Sequence, residues 1–337
     1  MTMTRRSLVA ASALFALTLQ AQAADKVSVG VLRFVSSGGL YLAIERGYFT
    51  AEGLDVDLKF FEAAQPIAVA VASGDTQFGL TGITGGTLNL AGKGGVKIVA
   101  SQGSEKKGIR GNVLVVSNEA FAKGITGPEK LPGTNVAITQ VGSTFHYQLG
   151  QIAAAKGFDL DKIVMKPMQS LPNMMAAVKT NQVDAAILAP HLAAPMAQRG
   201  EIKILGPLSD VADYQYGALF AAPKLVADNR AVVEKFVRAY QKGLADYSGA
   251  LMRVDAAGNR MSDDLAIKAG IEIGKYVYPS DAPAEAAKKV IASAVYCDPT
   301  GKIDVADVDR QIAWYKKEKL VDASVESKNF IDTTFAR

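Results

Sequence analysis

The stretch Ala43–Phe61, AIERGYFTAEGLDVDLKFF, decides how the rest of the chain is read, together with VSVGVLRFVSSGGLYL at Val27–Leu42 just before it. Val27, Val29, Val31 and Phe34 lie in an apolar run with the pattern of a short buried strand. Ser36-Ser37-Gly38-Gly39 breaks that run, and Leu40–Arg46 reads as helix, with Gly47 placed to end it. Leu54–Phe60 (LDVDLKF) then alternates apolar and polar residues as a second strand does. The unit is βαβ, with a hydroxyl- and glycine-rich turn at the carboxyl end of its first strand.

The same unit recurs downstream. Ile67–Ser73 predicts an apolar helix closed by Gly74, and Gln77–Leu80 a strand running into Thr81–Thr87 (TGITGGT). Val96–Ala100 and Gly111–Val116 are further strands. Ser117–Pro132 is a connection rich in glycine, proline and charge, after which the pattern restarts. It gives strand Thr134–Thr139, the turn Val141–Thr144, helix Phe145–Lys156, strand Ile163–Met168, helix Ser170–Lys179, and strands Val183–Leu188 and Ile202–Leu205. Tyr214–Ala222 reads as a strand returning to the first domain. Amphipathic helices follow at about Arg230–Leu251, Asp264–Tyr276, Pro283–Ala294 and Val305–Lys319, the last with Asp304 as N-cap. Alternating strands and helices throughout predict an α/β fold with parallel-rich sheets. The expected division is a discontinuous domain of residues 24–116 and 214–337, with 117–213 inserted, giving a bilobed molecule with two crossovers.

The phrase Ala43…Arg46-Gly47-Tyr48-Phe49…Glu52-Gly53-Leu54-Asp55-Val56 resembles the signature of periplasmic solute-binding proteins of the nitrate/sulfonate/taurine class. These are related in fold to the thiamine-pyrimidine-precursor binders. The resemblance covers nearly the whole chain after the N-terminus, and its motif says more about family than about ligand. It implies a periplasmic-binding-protein fold with a hinge of two crossovers. It also implies a monomer that captures a small anion between its lobes and delivers it to the permease and ATPase subunits of an ABC importer.

Composition agrees with export. Met1–Ala23 carries Arg5-Arg6, an apolar middle from Leu8 to Leu19, and the small-x-small site Ala21-Gln22-Ala23, the anatomy of a signal peptide for Sec or Tat. Twelve apolar-type residues fall short of the roughly 20 needed to span a bilayer. The formal charge of +4 includes those two arginines; the remaining 35 basic and 33 acidic residues leave +2, which points neither to nucleic acid nor to an anionic membrane. Cys297 is the sole cysteine, so in the periplasm the domains must hold through their cores without an internal disulfide. It reads as a buried small hydrophobe.

Three loops have the form of anion sites: Ser36–Gly39, Thr84–Thr87 and Gly142–Thr144. Each combines small residues, hydroxyls and a following helix, whose free N–H groups and dipole favour negative charge. Such turns are ordinary caps far more often than ligand contacts; what raises them is their recurrence in both expected lobes. Candidate ligand contacts are Ser36, Ser37, Gly38, Thr84, Gly85, Ser143 and Thr144. His146 and His191, the only two histidines, are candidate donors, and Arg33 a candidate partner for an acidic group. Tyr214 and Tyr216 would wall an organic ligand beside the hinge. Phe34, Tyr41, Phe145 and Tyr147 are weaker candidates of the same kind.

Enzyme motifs fail on spacing. Gly86…Gly92-Lys93-Gly94 has five residues between its first two glycines and Gly in place of Ser/Thr, so it is not a phosphate loop. Asp298…Asp304…Asp309 lacks the final Glu of a calcium loop. No GxSxG, HExxH or CxxC occurs, and neither catalytic residues, cofactor nor metal are expected. Two other classes stay open: a pyrimidine-precursor binder or synthase-type enzyme on the same scaffold, and a sensor subunit presenting ligand to a membrane receptor.

Overall fold

The computed structural model describes residues 24–336; the expected signal peptide, residues 1–23, lies outside them. Among the described residues there are twelve strands: β1 (Asp25–Val31), β2 (Leu54–Phe60), β3 (Phe78–Gly82), β4 (Lys97–Ser101), β5 (Ser104–Glu105), β6 (Val113–Ser117), β7 (Asn135–Ile138), β8 (Val164–Pro167), β9 (Ala185–Leu188), β10 (Ile202–Pro207), β11 (Tyr214–Gln215) and β12 (Gly217–Ala221). They form two five-stranded sheets, in the orders β2-β1-β3-β12-β4 and β10-β6-β9-β7-β8, and a two-stranded ribbon of β5 with β11.

The opening unit folds as its pattern requires. β1 buries Val27, Val29 and Val31 and pairs parallel with both β2 and β3. β2 lies at the sheet edge, where Asp55, Asp57 and Lys59 alternate with half-buried apolar residues, and edge charges guard an open strand against pairing with another chain. Gly47 ends the intervening helix with φ +70°. The return strand β12 inserts antiparallel between β3 and β4, which is what carries the C-terminal helices back onto the first sheet. Helix Arg230–Leu251 packs Phe236, Tyr240, Leu244 and Tyr247 into that core.

One expected boundary is wrong. Val113–Ser117 does not close the first lobe. It is an inner strand of the second sheet, antiparallel to β10 and β9. All five of its residues are buried, as a strand covered on both faces demands. The run of glycine and proline that follows it made it look like the end of a domain. The crossover lies earlier, at residues 102–112, and its β5 pairs with β11 of the second crossover through Glu105–Tyr214 and Ser104–Gln215. The expected single strand Tyr214–Ala222 is two, interrupted at Tyr216. Within the Ser117–Pro132 connection, Asn118–Ala122 is a short helix capped by Ser117.

The lobes are in contact. Gly85 N–H donates to Gly142 O (2.8 Å) and Leu171 N–H to Glu62 O (3.2 Å). The hydroxyls of Tyr278 and Tyr315 donate to His191 O (2.9 Å) and Ser143 O (3.2 Å).

Candidate functional site

A narrow cavity of about 50 Å³ lies where the lobes meet. It is built from the carboxyl ends of four strands, two from each sheet: Leu32 and Phe34–Ser36 after β1, Thr81-Gly82 of β3, Thr139 after β7, and Ala189–His191 after β9. Ala64, Thr144, Leu171 and Pro190, each the first residue of a helix, also line it. This is where an open α/β sheet places a ligand, and helix starts supply N–H groups and positive dipole ends. Gln102, Asn112 and Tyr216 reach it from the crossovers. One water-sized sphere needs about 10–15 Å³ on this measure, so the space suits a compact group, and a longer ligand requires the lobes to part.

Three buried polar atoms on this wall have no hydrogen-bond partner among the described residues: Ser36 Oγ, Thr81 Oγ1 and His191 Nε2. Leaving such an atom unpaired costs about 1–3 kcal/mol; buried polar atoms without a partner also occur away from this cavity, at Thr76, Ser101 and Gln148. His191 is 3% exposed, its ring edge-on to Phe34 at 4.7 Å between centroids. Burial pulls its pKa down to about 3, so the imidazole is neutral at physiological pH. Among the described residues the lining includes no Lys, Arg, Asp or Glu; Gln102, Asn112, Thr139, Thr144 and Ser293 add neutral polar groups, and the rest is aromatic and aliphatic, with Phe34, Phe145 and Tyr216 as the rings.

Of the residues singled out in the sequence, the cavity gathers Ser36, Thr144, His191 and Tyr216, together with Phe34 and Phe145 of the weaker aromatic candidates. The others are elsewhere, each for a local reason. Arg33 is exposed, its guanidinium 3.7 Å over the Phe60 ring and bonded to Tyr276 O. Ser37 Oγ is held between Leu32 O and Gln102 Nε2. Gly38 exists for packing: a Cβ there would meet Tyr247 Cδ2 at 2.6 Å. Thr84 is an N-cap, accepting from Thr87 N–H (3.0 Å) and donating to Gln65 Oε1 (2.6 Å). Gly85 and Ser143 join the lobes through their backbones. Ser143 also caps its helix, taking His146 N–H at 3.3 Å.

His146 turns away from the cavity. Its Nδ1 accepts from Gly142 N–H at 3.0 Å, its ring stands edge-on to Trp314, and burial lowers its pKa. Tyr214 is buried against Tyr147 with centroids 5.0 Å apart. Tyr41 and Tyr147 are likewise core residues. Cys297 is fully buried, its thiol pushed up to about 12 by desolvation.

Sequence reasoning missed Thr81, Thr139, Gln102 and Asn112. The strand-end rule marks Thr81 and Thr139, which sit at or just past a strand terminus. The hydroxyls just beyond them, Thr84 and Ser143, are spent on capping. Gln102 and Asn112 carry no local signal, because only the path of the crossover brings them to the wall.

The family model described as NMT1/THI5 like matches residues 35–249. The chain belongs to the NMT1/THI5-like family. Solved structures similar to this NMT1/THI5-like chain include the ligand-binding component of an ABC-type import system from Staphylococcus aureus with zinc bound. It is 16% identical, with TM-score 0.71, over 93% of this chain and 98% of that one. The alkanesulfonate-binding protein SsuA from Xanthomonas axonopodis pv. citri, bound to MOPS, is 16% identical with TM-score 0.70 over 93% and 99%. The periplasmic aliphatic sulphonate binding protein SsuA from Escherichia coli is 17% identical with TM-score 0.68 over 91% and 97%. At these identities the likeness establishes the periplasmic-binding-protein fold. No curated protein matches the sequence. Among the described residues of this family member, no helix is long and apolar enough to cross a membrane.

Proposed function

We propose that the protein is the exported substrate-binding component of an ABC importer, a periplasmic monomer that captures a small organic anion, a sulfonate or a carboxylate, between its lobes. The observation that carries this reading is the set of three unpartnered polar atoms, Ser36 Oγ, Thr81 Oγ1 and His191 Nε2, on a cavity at the meeting of the lobes. An anionic head would take hydrogen bonds from the two hydroxyls and from N–H groups at the helix starts at Ala64, Thr144 and Leu171. Phe34, Phe145 and Tyr216 would enclose the body, so an aromatic acid suits the walls. The lobes would turn about the β5–β11 ribbon to admit ligand and release it to the permease and ATPase. Catalysis is disfavoured because the lone thiol is buried and held protonated.

The lining also supports a second ligand class. Its lack of a cationic side chain and its neutral histidine favour an uncharged heteroaromatic such as a pyrimidine precursor, for which His191 Nε2 and the hydroxyls would serve as ring-edge partners.

Thermal unfolding of the mature chain against sulfonates, aromatic and aliphatic carboxylates, nitrate and neutral pyrimidines separates the two. A ligand at 100 times its Kd stabilises by about 2.7 kcal/mol. A shift confined to acids supports the anion reading, a shift confined to neutral pyrimidines replaces it, and no shift with any of them removes both.

A further inference from the structure

A second groove lies outside the cleft, against the C-terminal helices. Its space is about 1000 Å³, and its wall combines Met252, Val254, Ile267 and Ile291 with Arg110 and Arg260. Arg110 belongs to the first crossover, between β5 and β6. Arg260 ends the turn that joins helices Arg230–Leu251 and Asp264–Val277, where Val254 bridges to Arg260 across the backbone.

Among the described residues neither guanidinium has a counter-charge. Arg260 is only partly exposed, and no ion pair or side-chain hydrogen bond among the described residues engages it. Arg110 makes a single bond, from Nη1 to Ala292 O at 2.9 Å. The acids nearby are spent elsewhere. Asp263 takes both terminal nitrogens of Arg253, at 2.7 and 2.8 Å, and Asp255 accepts from the N–H groups of Ala257 and Asn259 within its own turn. Lys288, also on the wall, is bonded to Glu285 at 2.8 Å. Burial, with the charge of Arg110 adding to it, lowers the pKa of Arg260. Partly desolvating a cation beside a like charge is unfavourable unless an anion neutralises both, and an Arg pair offers bidentate donors to such a group.

We propose that this groove is a second ligand site, which takes an organic anion with an extended apolar body. The anionic group sits between Arg110 and Arg260, and the body lies along Met252, Val254, Ile267 and Ile291. The site is independent of the cleft: it shares no lining residue with it, and its size admits ligands that the cleft cavity excludes.

The probe is 8-anilinonaphthalene-1-sulfonate, whose emission rises on entering an apolar site. The full mature chain should bind it saturably. Arg110→Gln and Arg260→Gln should each weaken binding by about tenfold, as loss of a charge-assisted bond does. Arg260→Lys should retain most of the affinity, and Lys203→Gln, the same charge change on an exposed strand of the other lobe, all of it. N-phenyl-1-naphthylamine, the same framework without the sulfonate, should bind at least about tenfold more weakly than the sulfonate. Absence of saturable binding would overturn the proposal. So would binding indifferent to the arginine substitutions, which would place the probe in the cleft or on a general apolar surface, or equal affinity for the uncharged dye. Should Arg260→Gln fail to fold, Arg110→Gln on its exposed loop carries the test.

Discussion

Gly85 donates its N–H to the carbonyl of Gly142 at 2.8 Å. The two residues lie in turns of opposite lobes, both read from the sequence as ligand-binding turns, and here they bind each other. Gly142 holds φ +79°, the left-handed region, which costs a residue with a Cβ about 1–2 kcal/mol. Gly142→Ala should therefore lower stability by about 1 kcal/mol in urea unfolding with an unchanged slope. The strain is intrinsic to residue 142 and present in open and closed forms alike, so ligand affinity should hold. A large affinity loss would mean that the loop had moved off Gly85.

The only tryptophan in the chain reports on closure. Trp314, on the C-terminal helix Val305–Lys317, packs against His146, Tyr147 and Gly150 of the other lobe, and a Cβ on Gly150 would meet its Cζ2 at 2.4 Å. Gly150→Val should hold the lobes apart. The expected results are red-shifted tryptophan emission, a larger radius of gyration by small-angle scattering, and ligand affinity reduced roughly tenfold, in line with the cost of overpacking. Unchanged emission and scattering would show that the helix yields instead.

Thr81→Val and Ser36→Ala test the cavity. Because both hydroxyls lack a partner, removing them should leave the ligand-free protein as stable as before or slightly more so. Each should still cost the ligand about tenfold in affinity, the value of one hydrogen bond to a charged group. Isothermal titration beside ligand-free thermal unfolding separates the two effects. A loss of ligand-free stability with unchanged affinity would identify these hydroxyls as structural.

Two buried groups set opposite limits on pH stability. His191 has its folded pKa depressed to about 3, so below its ordinary 6.5 the unfolded chain takes up a proton that the native chain refuses. Stability should fall as pH drops from about 6.5 towards 3, by up to about 1.4 kcal/mol per pH unit. Glu105, buried in the crossover ribbon with Oε2 unpartnered, is raised by desolvation to about 8. Its contribution is present below pH 4.5 and is lost as pH rises towards 8. Urea midpoints across pH 3–9 should trace both flanks. His191→Gln should flatten the acid flank and Glu105→Gln the alkaline one, and a flank that survives its substitution would assign it to another group.

The patterned elements were legible because their signals are local. Alternation along Leu54–Phe60, the apolar run at Val27–Val31, the stop at Gly47 and the cap Asp304 each act within a few residues, through side-chain burial or a bond to a neighbouring N–H. They determined α/β architecture, two lobes and family. Half-right were the hydroxyl loops. Their residue types are those of both an anion site and a helix cap, and Thr84 and Ser143 show the cap winning, since Thr87 N–H and His146 N–H are held at a fixed short distance by the helix itself.

What only the tertiary structure decided depends on contacts distant in sequence. Val113–Ser117 belongs to the second sheet because β9 and β10 cover it on both sides. His146 faces Trp314 while His191 faces the cavity, although both sit in the first turn of a helix that follows a strand, because the C-terminal helix occupies the space beside one and not the other. The neutrality of the cavity, its three unpartnered polar atoms, and the pairing of Arg110 with Arg260 along one groove arise from packing between segments up to about 260 residues apart. Sequence periodicity reports which face of an element is buried; which neighbour buries it is settled by the fold as a whole.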